Sequence, residues 1–93
     1  MRFVVELEKI GSSLGLSVSV ILFSQGGVNT TVKLGGIYVK SLMLNGPADR
    51  NGKIRIGDRI LEVNGVSLVG VTHKQAVEII KRAPQRCRLV IDR

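Results

Sequence analysis

Apolar and polar residues alternate along most of this sequence. Phe3, Val5 and Leu7 face one way over residues 2–9 while Val4, Glu6 and Glu8 face the other; Ile37 and Val39 alternate with Tyr38 and Lys40; Cys87, Leu89 and Ile91 share one side of residues 86–92. A period of two sends successive side chains to opposite faces, so each stretch is predicted to be a half-buried strand. A second strand is expected from Leu14 to about Phe23, with Leu14, Leu16 and Val18 on one face and Gly15, Ser17 and Ser19 on the other. GDRILEVNG (57–65) adds a strand of Ile60, Leu61 and Val63 that ends in the hairpin dipeptide Asn64-Gly65, and a very short strand follows over 66–69.

Helical spacing is sustained only once. Thr72 opens that helix with Gln75 as its capping-box partner, Ala76, Ile79, Ile80 and Ala83 form a core face, and Pro84 enforces a stop. NGPADRNG (45–52) reads as a short helix, with Pro47 at its first position and Asn51-Gly52 as a left-handed exit. GGVNTTVKLGG (26–36) has no period and is expected to be a loop. The predicted order is β-β-β-α-β-β-α-β in one domain over residues 2–92. The class is mainly β (α+β): a partly open sandwich or barrel of five to six strands with two helices.

Ninety-three residues suit one modest core, and with aromatics at 3% that core must be aliphatic. No apolar run approaches the roughly 20 residues needed to span a bilayer. No charged-then-apolar leader is seen, and the single Cys87 fits a reducing setting, so the expected location is cytoplasmic. The net charge of +7 would attract nucleic acid, acidic peptides or anionic headgroups. The cations are scattered, however, and only Lys81, Arg82, Arg86 and Arg88 approach a cluster; a solvated surface is the simpler account.

Catalysis has little to work with. His73 is the sole histidine, Cys87 sits on an apolar strand face as a small buried hydrophobe, and Asp49 and Asp58 read as surface or turn residues. No metal-ligand set, phosphate-loop spacing, helix-turn-helix or aromatic stacking platform is present, so no cofactor, metal or nucleic-acid partner is expected.

SLGL (13–16) resembles the X-Φ-G-Φ carboxylate-binding loop of PDZ domains, where Φ is apolar. NGPADRNG, GDRILEVNG and THKQAVEIIKRA follow in the family's order, so the resemblance covers residues 2–92. GGVNT, GGIYVK, VNGVSL and THKQAVE are most similar to a module of the large FERM-and-PDZ scaffold proteins, including non-receptor tyrosine phosphatases with multiple PDZ domains. The resemblance implies a non-catalytic, monomeric interaction module that binds the C-terminal tails of receptors, channels or adaptors at the membrane's cytoplasmic face or at cell junctions. An extended peptide would add to the second strand along Leu16, Ser17, Val18 and Ser19. Its carboxylate would meet the N–H groups of Leu14, Gly15 and Leu16, where Gly15 avoids crowding the anion, and its last side chain would enter a pocket of Leu14, Leu16, Val18, Val77 and Ile80.

Lys9 matches the family's basic position before the loop, either reaching the carboxylate through water or simply solvated at a strand end. His73 matches the position that selects Ser or Thr third from the ligand's end, giving [Ser/Thr]-x-Φ. VILFSQ departs from the pattern: Ile21 and Phe23 either pack under the long loop, the favoured expectation, or stay exposed as a second contact surface. The alternative function is a basic surface for phosphoinositides or anionic membrane, built from Lys9, Lys33, Arg86 and Arg88.

Overall fold

The computed structural model describes residues 1–24 and 32–93, and the side chains of all of these except 22–24 and 32–34. Strands β1 (Arg2–Glu8), β2 (Leu16–Ser24) and β3 (Val32–Leu42) are followed by helix α1 (Pro47–Asn51). Strands β4 (Arg59–Val63) and β5 (Val66–Ser67), helix α2 (His73–Arg82) and strand β6 (Arg86–Asp92) complete the order. Every pairing is antiparallel, in the order β1-β6-β4-β3-β2 with β5 on β4. The sheet is open, and β1 and β2 are its two edges among the described residues.

The alternation does what it promised. Val5, Leu7, Cys87, Leu89 and Ile91 turn inward and meet Ile37, Val39 and Ile60 in one aliphatic core. Leu89 and Ile91 have no exposed surface, and burial of that kind contributes about 1.5–3 kcal/mol per side chain. At α2 the capping box is complete: Thr72 Oγ1 accepts from Gln75 N–H at 3.1 Å and Gln75 Oε1 accepts from Thr72 N–H at 2.9 Å. Pro47 opens α1, and Gly52 closes it at φ 79°.

Three expectations need correction. The third strand begins at Val32 rather than Ile37, so part of the expected loop lies in a long β2–β3 ladder. That ladder slips register between Ile21 and Leu22, opposite Gly36 at φ 131°, so the glycines there make an irregularity inside a strand rather than a loop end. Leu14 precedes β2, directly after a turn closed by an Ile10–Ser13 bridge.

Asp58 closes a turn with Arg55, as one of its two expected settings had it, but it is not on the surface. It is 3% exposed and accepts from Arg93 Nε at 2.9 Å, Arg93 Nη2 at 2.8 Å and Arg55 N–H at 2.9 Å. The Arg93 hydrogen bond, above all, holds its carboxyl below the usual carboxylate range against the opposing effect of burial. Ile21 is 39% exposed, against the packing expected of it, while the Phe23 side chain lies outside the described residues.

Candidate functional site

A cleft of about 360 Å³ runs between β2 and α2 and brings together Leu14, Leu16, Val18, His73, Val77 and Ile80. Leu14 and Val18 are 2% and 6% exposed, so the apolar surface still open to a ligand belongs mainly to half-buried Leu16, Val77 and Ile80. Their spacing on α2, with His73 one turn earlier, comes from the stripe at offsets of four and three.

Backbone polarity follows from which groups the fold has already used. Leu14 C=O accepts from Ala48 N–H at 3.1 Å and Gly15 C=O from Met43 N–H at 2.8 Å. Both carbonyls are thereby turned back toward the α1 side, and the N–H groups of Leu14–Leu16 are left for the groove, a concave donor set suited to an anion. Along β2, the Gly15–Met43 bond leaves Leu16 opposite Leu42 in a non-hydrogen-bonded pair, and Val39 bonds instead toward residues 57 and 58. Leu16 and Val18 therefore direct N–H and C=O to the open edge, while alternation turns those of Ser17 and Ser19 toward β3. Of the expected pairing residues, the serines contribute position rather than bonds.

Two of the groove's polar groups are bonded from within. Gly15 N–H donates to Ser13 Oγ at 2.9 Å, and His73 Nε2–H donates to Val18 C=O at 3.0 Å. The carbonyl can only accept, which fixes the proton on Nε2. A hydroxyl and an imidazole thus occupy one donor and one acceptor of the groove.

Lys9 has neither of its expected roles. It is 5% exposed, and Nζ donates to the carbonyls of Ile80 at 2.7 Å, Lys81 at 3.2 Å and Ala83 at 2.6 Å. These are carbonyls at the end of α2, where helix partners run out (Ile80 C=O keeps only a long bond from Ala83 N–H at 3.3 Å) and the dipole favours a cation. All three ammonium donors are used there. The cation that does line the groove is Lys81, one residue past Ile80.

Gly15 has the left-handed backbone, φ +74°, that the curl expected of this loop needs, and its Cβ would lie 2.8 Å from Pro47 Cδ and 3.1 Å from Gly46 Cα, so a side chain would also strike α1's entry. Ser13 was legible as a turn serine bonding two residues ahead. Lys81 carried only the signal of continuing the His73–Val77 stripe by one more turn.

Cys87 is fully buried with its thiol on Pro84 C=O, and burial pushes its pKa up. The basic cluster does not assemble as one free patch: Arg82 lies 3.6 Å from Glu78 and Arg86 3.8 Å from Glu6.

A family model described as the PDZ domain matches residues 4–92. The chain is 52% identical over 91 residues to mouse "FERM and PDZ domain-containing protein 2" and 50% identical over 91 residues to human "Tyrosine-protein phosphatase non-receptor type 13". It covers 6% and 3% of those proteins, and each alignment takes in 98% of this chain. In three dimensions it is similar to the N-terminal PDZ domain of InaD, solved in complex with a NorpA C-terminal peptide, with TM-score 0.77 and 28% identity over 98% of this chain and 95% of that one. It is also similar to a Dlg1 PDZ2 domain of the choanoflagellate Monosiga brevicollis, with TM-score 0.79 and 26% identity over 100% and 99%.

Proposed function

The chain belongs to the PDZ domain family, and we propose on that premise that its β2–α2 groove is a non-catalytic site for the C-terminal residues of partner proteins. The observation that carries this is the inward turn of the Leu14 and Gly15 carbonyls, which leaves N–H donors beside an open strand edge.

The peptide lies antiparallel to β2 and bonds to the outward groups of Leu16 and Val18. Its carboxylate replaces Ser13 Oγ on Gly15 N–H and takes the neighbouring N–H groups of Leu14 and Leu16; Lys81, not Lys9, adds positive charge. The last side chain enters between Leu16, Val77 and Ile80. As the ligand's N–H takes Val18 C=O, His73 is released to meet a Ser or Thr hydroxyl third from the ligand's end, which favours [Ser/Thr]-x-Φ. Binding is therefore an exchange of hydrogen bonds. Tails of membrane receptors, channels or adaptors, met at the cytoplasmic face or at junctions within a longer scaffold, fit this chemistry. The anionic-membrane alternative has less support: Lys9 is buried, Arg86 is beside Glu6, and the Lys33 side chain lies outside the described residues.

Calorimetry of a free-acid Thr-x-Val peptide against its C-terminal amide tests the reading. The amide removes the anion and sets donors against donors; charged hydrogen bonds are worth roughly 1.5–3 kcal/mol each, so affinity should fall at least tenfold. Equal affinities would overturn it.

A further inference from the structure

The sheet's other edge has its own bonding pattern. Met1 and Arg93 exchange N–H···O=C bonds of 2.7 Å, and Lys9 N–H bonds to Gln85 C=O at 2.7 Å, with β1 and β6 in constant register between them. Alternation then assigns the odd residues Phe3, Val5 and Leu7 to β6 and turns the N–H and C=O of Arg2, Val4, Glu6 and Glu8 outward. A cleft of about 420 Å³ follows this edge, between Glu6, Glu8 and Ile10 on one side and Pro47 and Arg50 on the other. No other strand pairs with β1 among the described residues.

We infer that β1 is a self-association edge, pairing antiparallel with β1 of a second copy of this chain in a two-fold register centred on Val5. That register sets Arg2 against the partner's Glu8 and Val4 against the partner's Glu6, and each pair consists of residues whose backbone groups already point outward. Charge complementarity extends beyond the seam. Within the chain Glu8 lies opposite Arg86 and Arg2 opposite Asp92, so the row across the joined sheets runs Arg86, Glu8, the partner's Arg2, the partner's Asp92, with signs alternating throughout. Sliding the pairing one step toward the end of β1 sets Glu6 against the partner's Glu6, and like charges directly opposite are unfavourable. Sliding the other way shortens the ladder. Exposed ion pairs add little energy, so the charges select the register while main-chain bonds hold it. A contact of one strand per copy is small and belongs among weak, transient interfaces.

Analytical ultracentrifugation of the 93-residue chain reads this directly. The weight-average mass is expected to rise from 10.1 kDa toward twice that as concentration enters the range of about 0.1–1 mM. Val4→Pro removes an N–H directed at the partner and none of the β1–β6 bonds, so it should weaken association at least about tenfold with the circular dichroism spectrum unchanged. Arg2→Glu should also weaken it, and adding Glu8→Arg to Arg2→Glu should recover association, because only the Val5-centred register opposes these two positions. A mass fixed at 10.1 kDa throughout, or Arg2→Glu associating as well as the parent chain, overturns the proposal; the charge exchange carries the test even if the proline variant does not fold.

Discussion

The two edges of the sheet follow one backbone rule and differ in everything attached to it. On β2 and on β1 alike, every second residue directs its N–H and C=O away from the sheet, and a helix stands alongside: α2 by β2, α1 by β1. At β2 the flanking side chains are apolar or small, the nearby loop offers bare N–H groups, and two polar groups are satisfied internally. At β1 the outward positions carry Arg2, Glu6 and Glu8. Backbone geometry therefore leaves both edges open to an added strand, and side chains separate the two proposed occupants: a chain end with a carboxylate at one, a strand of complementary charge order at the other.

Each side is also backed by a buried charge, and these are the two buried polar or charged side chains among the described residues. Lys9 holds the end of α2, and Asp58 holds Arg93 beside the end of β6. Removing the first should give the largest effect. Lys9→Met leaves carbonyls at the end of α2 without their donor, and urea unfolding should show a loss of about 2–4 kcal/mol. The helix beside β2 should loosen first, seen as faster amide exchange over residues 76–83 than in β1. Uniform loosening would erase the distinction between the two sides.

Asp58→Asn should cost about 1–3 kcal/mol near neutrality, since it removes a buried, charge-assisted hydrogen-bond acceptor. The Asp58 carboxyl is held below its ordinary value in the fold, so its stabilisation is complete above about pH 4 and is lost as pH falls through the lowered folded value. Thermal melts from pH 7 to 2 should thus fall less steeply below about pH 4 in Asp58→Asn than in the parent. Parallel curves would mean that Asp58 does not titrate with unfolding.

The smallest effect belongs to His73 and sharpens the β2 side alone. A net hydrogen bond is worth about 0.5–1.5 kcal/mol, so His73→Ala should weaken a Thr-x-Val peptide roughly 2- to 13-fold. A Val-x-Val peptide should change much less, because it has no hydroxyl to lose and gains from the freed Val18 C=O. A double-mutant cycle isolates the coupling; zero coupling with both proteins folded withdraws the hydroxyl preference and leaves the carboxylate claim standing.

What was legible in the sequence divides along a physical line. Element order, the Thr72–Gln75 cap, the Pro47 start and the inward faces of β1 and β6 depend on neighbours a few residues apart, and alternation or capping chemistry reveals these. The stripe His73–Val77–Ile80 reached the groove for the same reason. Lys9 was misread because its partners lie 71 to 74 residues away, and no local pattern says that a strand-end lysine will find a helix terminus. Asp58 and Arg93 meet across 35 residues and were missed likewise. The early start of β3 was hidden by glycines that locally signal a loop but here sit at a ladder irregularity.

The His73–Val18 bond has a further consequence for a domain between encounters with its ligands. An open β2 edge invites sheet-to-sheet accretion whenever such domains are crowded, and natural proteins commonly blunt such edges with charge, proline or a covering element. Here the blunting is done by a ring that occupies an edge carbonyl at 3.0 Å and can be lifted by a single incoming chain. The residue proposed to read the ligand's hydroxyl thus also covers an edge carbonyl, so a variant that replaces His73 is expected to turn turbid sooner while empty, which light scattering checks.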